Sequence, residues 1–151
     1  MTKKILISEE QERFLREQKG ILFEYFSVVS NPRKDVNVLG DLQVWVYGND
    51  RQDFTPHCHV MTMDKSTEFE VSIIDWKVVN VKQGIPTRDM QKRFNKWLIS
   101  KSSRGVDATN KKMLFISWDG NNPNNELASF CEKHNIIPQD EELLKYIESQ
   151  K

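Results

Sequence analysis

The chain has 151 residues, enough for one domain with a real hydrophobic core. Hydrophobic residues make up 38% and charged residues 29%, a soluble globular composition that excludes a disordered chain. Twenty-two basic residues balance 22 acidic ones, and this zero formal charge argues against a long-range field that draws in nucleic acid.

From Ser8 to about Val29 the spacing predicts a helix. Ser8 with Gln11 resembles a capping box, and Glu9 and Glu10 suit the positive end. Phe14, Leu15, Leu22, Tyr25, Phe26 and Val29 recur at helical spacing. Pro32 forces a stop, because the residue before a proline is pushed out of helical geometry. Residues 31–41 read as a loop. The period then changes to two. Leu42, Val44 and Val46 alternate with Gln43, Trp45 and Tyr47, which predicts a strand with aliphatics on one face and rings on the other.

After a turn-rich connection at 48–56, a second strand is expected from His57 to about Met63, and D-K-S-T (64–67) is a turn. Glu68 to Asp75 is a third strand with Phe69, Val71 and Ile73 facing inward, and Val78 to Val81 a fourth. Short connections favour an antiparallel meander. Thr87 caps a helix bearing Met90, Phe94, Trp97 and Leu98. The apolar run 113–118 is a buried strand or a buried helix on its pattern alone. Two further helices are expected at about Glu126–His134 and Asp140–Ser149.

The chemistry concentrates in T-P-H-C-H-V-M-T (55–62), which holds two of the three histidines. On a strand, His57 and His59 share a face and Cys58 takes the other. Such a pair can reach one divalent metal ion, with a third ligand from Asp50, Asp53, Glu70 or His134. It can also serve as acid and base on a phosphodiester, since imidazoles titrate near neutrality. A structural role fits the same residues, with the rings packed beside Trp45 and Tyr47 or bonded to a loop carbonyl. A protein contact surface fits them too, with Trp45, Tyr47, Asp50 and Asp53 beside the pair. Met61 stands where a third alternate histidine would fall, which argues against a histidine-triad hydrolase. No phosphate-binding glycine loop and no nucleophile elbow is present.

Cys58 and Cys131 match no metal spacing and read as free thiols of a reducing cytosol, Cys58 as a core residue. Trp45, Trp97 and Trp118 read as core, and Trp76 as the indole most exposed. The first ten residues lack a signal peptide's apolar run, and no stretch approaches the roughly 20 apolar residues of a membrane span. The expected location is the cytoplasm. Lys101, Arg104, Lys111 and Lys112 lie close in sequence and read as a solvated face.

The run V-W-V-Y-G-N-D-R-Q-D-F-T-P-H-C-H-V (44–60) resembles the signature of a small bacterial family called domain of unknown function four-one-six-zero. F-E-V-S-I-I-D followed by V-V-N resembles its next hairpin, and a later helix bearing Trp97 also matches. M-L-F-I-S-W-D-G-N-N (113–122) resembles its second helix, which turns the ambiguous run toward helix. The likeness covers about Leu42 to Asn122. It implies a compact α+β domain, often encoded near toxin–antitoxin or mobile-element genes, and no established reaction. By position it carries the family's histidine pair to His57 and His59, its strand tyrosine to Tyr47 and its acidic turn residue to Asp50.

The expectation is therefore one α+β domain over 1–151. It has an antiparallel sheet of about four strands, helices packed on one face, an N-terminal helix at 8–29, a family-like core at 42–122 and a C-terminal helical extension at 124–151. The expected function is a small binding module for a protein partner, an accessory of a toxin–antitoxin, phage or defence system. The alternative is a metal-assisted or acid–base nucleic-acid hydrolase with His57 and His59 as catalytic residues and His57, His59 and Asp50 as metal ligands. Phe14, Leu22 and Phe26 would pair the N-terminal helix with that of a second copy.

Overall fold

In the computed structural model, residues 26–48 and 55–151 are described. Five strands form one open antiparallel sheet in sequential order: β1 (Phe26–Val28), β2 (Leu42–Tyr47), β3 (His57–Thr62), β4 (Glu68–Ser72) and β5 (Val78–Gln83). A four-residue helix, α1 (Val36–Leu39), joins the first two. Four further helices follow the sheet: α2 (Arg88–Leu98), α3 (Asn110–Asn121), α4 (Leu127–Lys133) and α5 (Glu141–Ser149). This is the expected α+β architecture with one strand more than expected.

The additional strand corrects the N-terminal helix. Residues 8–25 of that expected helix, with Phe14 and Leu22, lie outside the described residues. Residues 26–28 are strand, because their backbone pairs with Tyr47, Val46 and Trp45 of β2. A ladder of backbone hydrogen bonds outweighs helical spacing in a short segment. Phe26 of the expected dimer face thus lies in a strand. Residues 31–41 are likewise not all loop, since they contain α1.

Alternation along β2, β3 and β4 separates two faces. Val44, Val46, Cys58, Val60, Phe69 and Val71 are buried in one continuous core with Phe94 and Trp97 of α2, Leu114 and Phe115 of α3, Leu127 of α4 and Leu143 of α5. Thr87 caps α2 by accepting from the Met90 amide, and Thr109 caps α3 by accepting from that of Lys112. The ambiguous run at 113–118 lies inside α3, whose Met113, Leu114, Phe115, Ser117 and Trp118 are all buried. Near its end, the Asn121 amide donates to the Val46 carbonyl and the Asn122 amide to that of Tyr47. This contact is so close that a Cβ on Gly48 would stand 2.1 Å from the Asn121 carbonyl oxygen. Gly48 is therefore required where α3 meets the end of β2.

The indoles tie the layers together. Trp97 donates to Asp35 at 3.1 Å, Trp118 to the Asn125 carbonyl at 2.8 Å and Trp76 to Asp140 at 2.8 Å. Trp76 is partly exposed, as expected, and holds a left-handed backbone (φ 62°) in the turn between β4 and β5. Its bond to Asp140 and the Lys111 ammonium over its ring offset that strain.

Asp119 joins α3, α4 and α5. Its carboxylate accepts from the Leu127 amide and the Tyr146 hydroxyl, both at 2.8 Å. Burial pushes this carboxyl up from 3.8 to about 6, and the two hydrogen bonds only partly oppose it. A carboxyl harder to ionise in the folded chain makes folding take up a proton. Stability is then greatest below the unfolded value of 3.8 and is lost as pH rises through about 6. In Asp119→Asn this dependence should vanish. Denaturant titrations should show the wild type losing about 1–3 kcal/mol more than the variant between acid and neutral pH. Equal losses in both proteins would refute the assignment.

Candidate metal centre

The histidine face is assembled by strand register. His59 lies opposite Trp45 of β2 and Glu70 of β4, and His57 opposite Ser72. Directly opposed residues of antiparallel strands point to the same face. Trp45, His59 and Glu70 therefore form a row across three strands. The D-K-S-T turn between β3 and β4 holds that register. Its Asp64 carboxylate accepts from the Thr62 and Ser66 hydroxyls and from the Ser66 amide, and these bonds, the Thr62 hydroxyl first, lower its pKa to about 2.

Donor atoms of His57, His59 and Glu70 lie within 4.8 Å of one another, and all three side chains are largely buried. This group can hold a metal ion. Nε2 of His57 stands 3.7 Å from one Glu70 oxygen, and Nδ1 of His59 stands 4.0 Å from the other. Nδ1 of His57 lies 2.8 Å from the Thr55 carbonyl oxygen. A carbonyl only accepts, so Nδ1 carries a proton and Nε2 is the nitrogen turned toward Glu70. Metal-bound histidines are commonly oriented by such a bond to the backbone.

His59 is held by rings. It stacks on Trp45 at 5.5 Å with planes 13° apart, and it meets the edge of Tyr47 at 4.8 Å. Its Nδ1 is buried and makes no hydrogen bond among the described residues. Glu68 approaches that atom to 3.4 Å, outside hydrogen-bond geometry. This contact is not an ion pair at neutral pH. Burial, with the charges of His57 and Lys82, lowers the His59 pKa to about 3 and keeps the ring neutral. A neutral imidazole is the form that binds metals.

The other expected site residues divide clearly. Asp50 and Asp53 lie outside the described residues. Trp45 is buried against His59, and Tyr47, half-buried, covers the same ring. His134 ends α4 with its ring against Phe130 and is not part of the group. Cys58 faces the core, where burial raises its pKa and keeps the thiol protonated. Glu70, expected as a third ligand from a neighbouring strand, is brought to the histidine pair by the register of β3 on β4. Glu68 and Lys82 were not anticipated. Lys82 of β5 reaches Glu70 at 3.7 Å, and only pairing across β4 and β5 reveals this. The basic residues at 101–112 do not form a free patch. Lys101 pairs with Asp107, Lys111 with Asp140, and Arg104 donates to the Val28 and Ser30 carbonyls.

No protein-family profile, no curated protein and no solved structure matches this chain. No helix among the described residues is long and apolar enough to cross a membrane.

A buried polar atom without a partner is destabilising, and removing it need not be. His59→Leu, measured in chelator, should unfold within about 1 kcal/mol of the wild type. His57→Leu should cost more, because it also removes the hydrogen bond between His57 and the Thr55 carbonyl. A large loss in His59→Leu alone would mark His59 as a purely structural residue.

Proposed function

We propose that the chain is a small metal-dependent domain of the hydrolase type. One divalent transition-metal ion would sit on His57 Nε2, His59 Nδ1 and the Glu70 carboxylate. The observation that carries this reading is the buried His59 Nδ1, without a hydrogen bond among the described residues and facing Glu70 close to His57. Two imidazoles and one carboxylate suit zinc, iron or manganese. The three protein donors found among the described residues resemble catalytic sites, where structural sites use four. A metal held there would polarise a bound oxygen and ease the ionisation of water. The protein's own part is to fix His57 through Thr55, to clamp His59 between Trp45 and Tyr47, and to keep the His59 ring neutral. The neutrality of His59 down to about pH 3 favours the metal reading over acid–base catalysis, which needs a ring titrating near the working pH.

Thermal shift in chelator and then in zinc, manganese, iron, cobalt or nickel tests this. At a hundredfold excess over Kd, a metal should stabilise the wild type by about 2.7 kcal/mol. His57→Ala, His59→Ala and Glu70→Gln should each lose most of that gain. If every metal shifts these variants as much as the wild type, the site is not a metal centre.

A second reading, a protein-interaction module in a toxin–antitoxin, phage or defence setting, draws on another surface. The outer strand β5 exposes Val79 and Val81 about halfway, and Ile85 follows at 76% exposure. Outer strands and exposed apolar residues suit strand addition by a partner. Val79→Arg with Val81→Arg should abolish capture of such a partner while leaving metal binding intact. Unchanged capture would rule out β5 as the contact.

A further inference from the structure

Side-chain exposure around the metal centre rises in one direction. It is 4% at His59, 8% at His57, 12% at Glu70, 22% at Glu68 and 46% at Lys82. The group is thus closed on the β2 side, where Trp45 and Tyr47 lie, and opens toward β5. Lys82 stands at that opening with its ammonium 3.7 Å from the Glu70 oxygen that also faces His59.

Charge in this group reverses when a divalent cation enters. The imidazoles bind metal as neutral ligands. Among the described residues, two carboxylates, Glu68 and Glu70, stand against the one ammonium of Lys82 beside the imidazoles, a balance that attracts a cation. A divalent ion would tip that balance to positive. Glu70 then directs its charge to the metal, and the Lys82 ammonium is released from its partner at the solvent side. A metal held there and the Lys82 ammonium would set two cationic centres side by side, which match an oxyanion with several oxygens.

Resting on the metal reading above, we propose that the loaded site binds a phosphate group, held jointly by the metal and Lys82. The substrate class is a phosphate ester entering from the β5 side. Lys82 is a binding residue for that group. In the protein without metal it shields Glu70 instead, so it competes weakly with the incoming cation.

The test uses full-length protein loaded with manganese or cobalt and titrated with inorganic phosphate, followed by phosphorus NMR line broadening and by calorimetry. Acetate serves as a second arm to separate phosphate from a general carboxylate. Phosphate should bind the loaded wild type about tenfold more tightly than loaded Lys82→Gln, the loss expected for one charge-assisted contact. Lys82→Arg should restore binding. The metal affinity of Lys82→Gln should equal or exceed that of the wild type. Phosphate binding that needs no metal, that is equal in Lys82→Gln, or that acetate matches would overturn the proposal while leaving the metal reading standing. Failure of the wild type to take up any metal would remove both.

Discussion

Pairing of β3 with both of its neighbours is the constraint on which the rest depends. Antiparallel register sets His59 between Trp45 and Glu70, and β3 cannot shift without moving all three contacts. A slip by one residue would turn Cys58 and Val60 toward the histidine face and send both imidazoles into the apolar core. Several devices oppose that slip. The hydrogen bonds of Asp64 fix the turn at one end. At the other end, the Ile73 amide donates to the Pro56 carbonyl just before the first histidine. The core face adds its own penalty, since Cys58, Val60, Phe69 and Val71 are all buried there.

The helical layer steadies the sheet through polar anchors inside an apolar interface. Asp35, at the head of α1, accepts from Trp97 of α2 and from Ser103. Asn121 of α3 and Asn122 just after it bind the carbonyls of β2 directly. Trp118 of the same helix also lies 5.7 Å from the His57 ring, so α3 touches the candidate centre as well as the core. A site is positioned well when its supports are rigid elements. Here strand register orders one side of the histidine pair, and α3 bears on the other.

Much of this was legible because periodicity carries it. The change to alternation at Leu42, the turn at 64–67 and the cap at Thr87 all agree with local structure. β1 was not legible. Three residues are too few to show a period of two, and their spacing continues a helical pattern from upstream. α3 stayed ambiguous on pattern because it is buried on several faces and lacks a polar stripe. The shared face of His57 and His59 follows from alternation alone. The choice of Glu70 does not, because it needs the register of β3 on β4. Lys82 lies a step further away, at an irregularity in the pairing of β4 with β5 that falls between Gln83 and Val81.

The energetic tension at the centre explains why these features belong together. Nε2 of His57 stands 3.7 Å from a carboxylate oxygen of Glu70. Nδ1 of His59 faces two carboxylates and bonds to neither. Acceptors gathered in a buried space repel one another, and low local polarity strengthens that repulsion. An apolar row across β2, β3 and β4 would pack at lower cost. Lys82 relieves one oxygen of Glu70 from the solvent side, but Lys82 is half-exposed and leaves His59 Nδ1 without a hydrogen bond among the described residues. A cation placed among His57, His59 and Glu70 would meet that atom and the carboxylate at once. The geometry that costs stability at this row is therefore the geometry that could hold a positive ion.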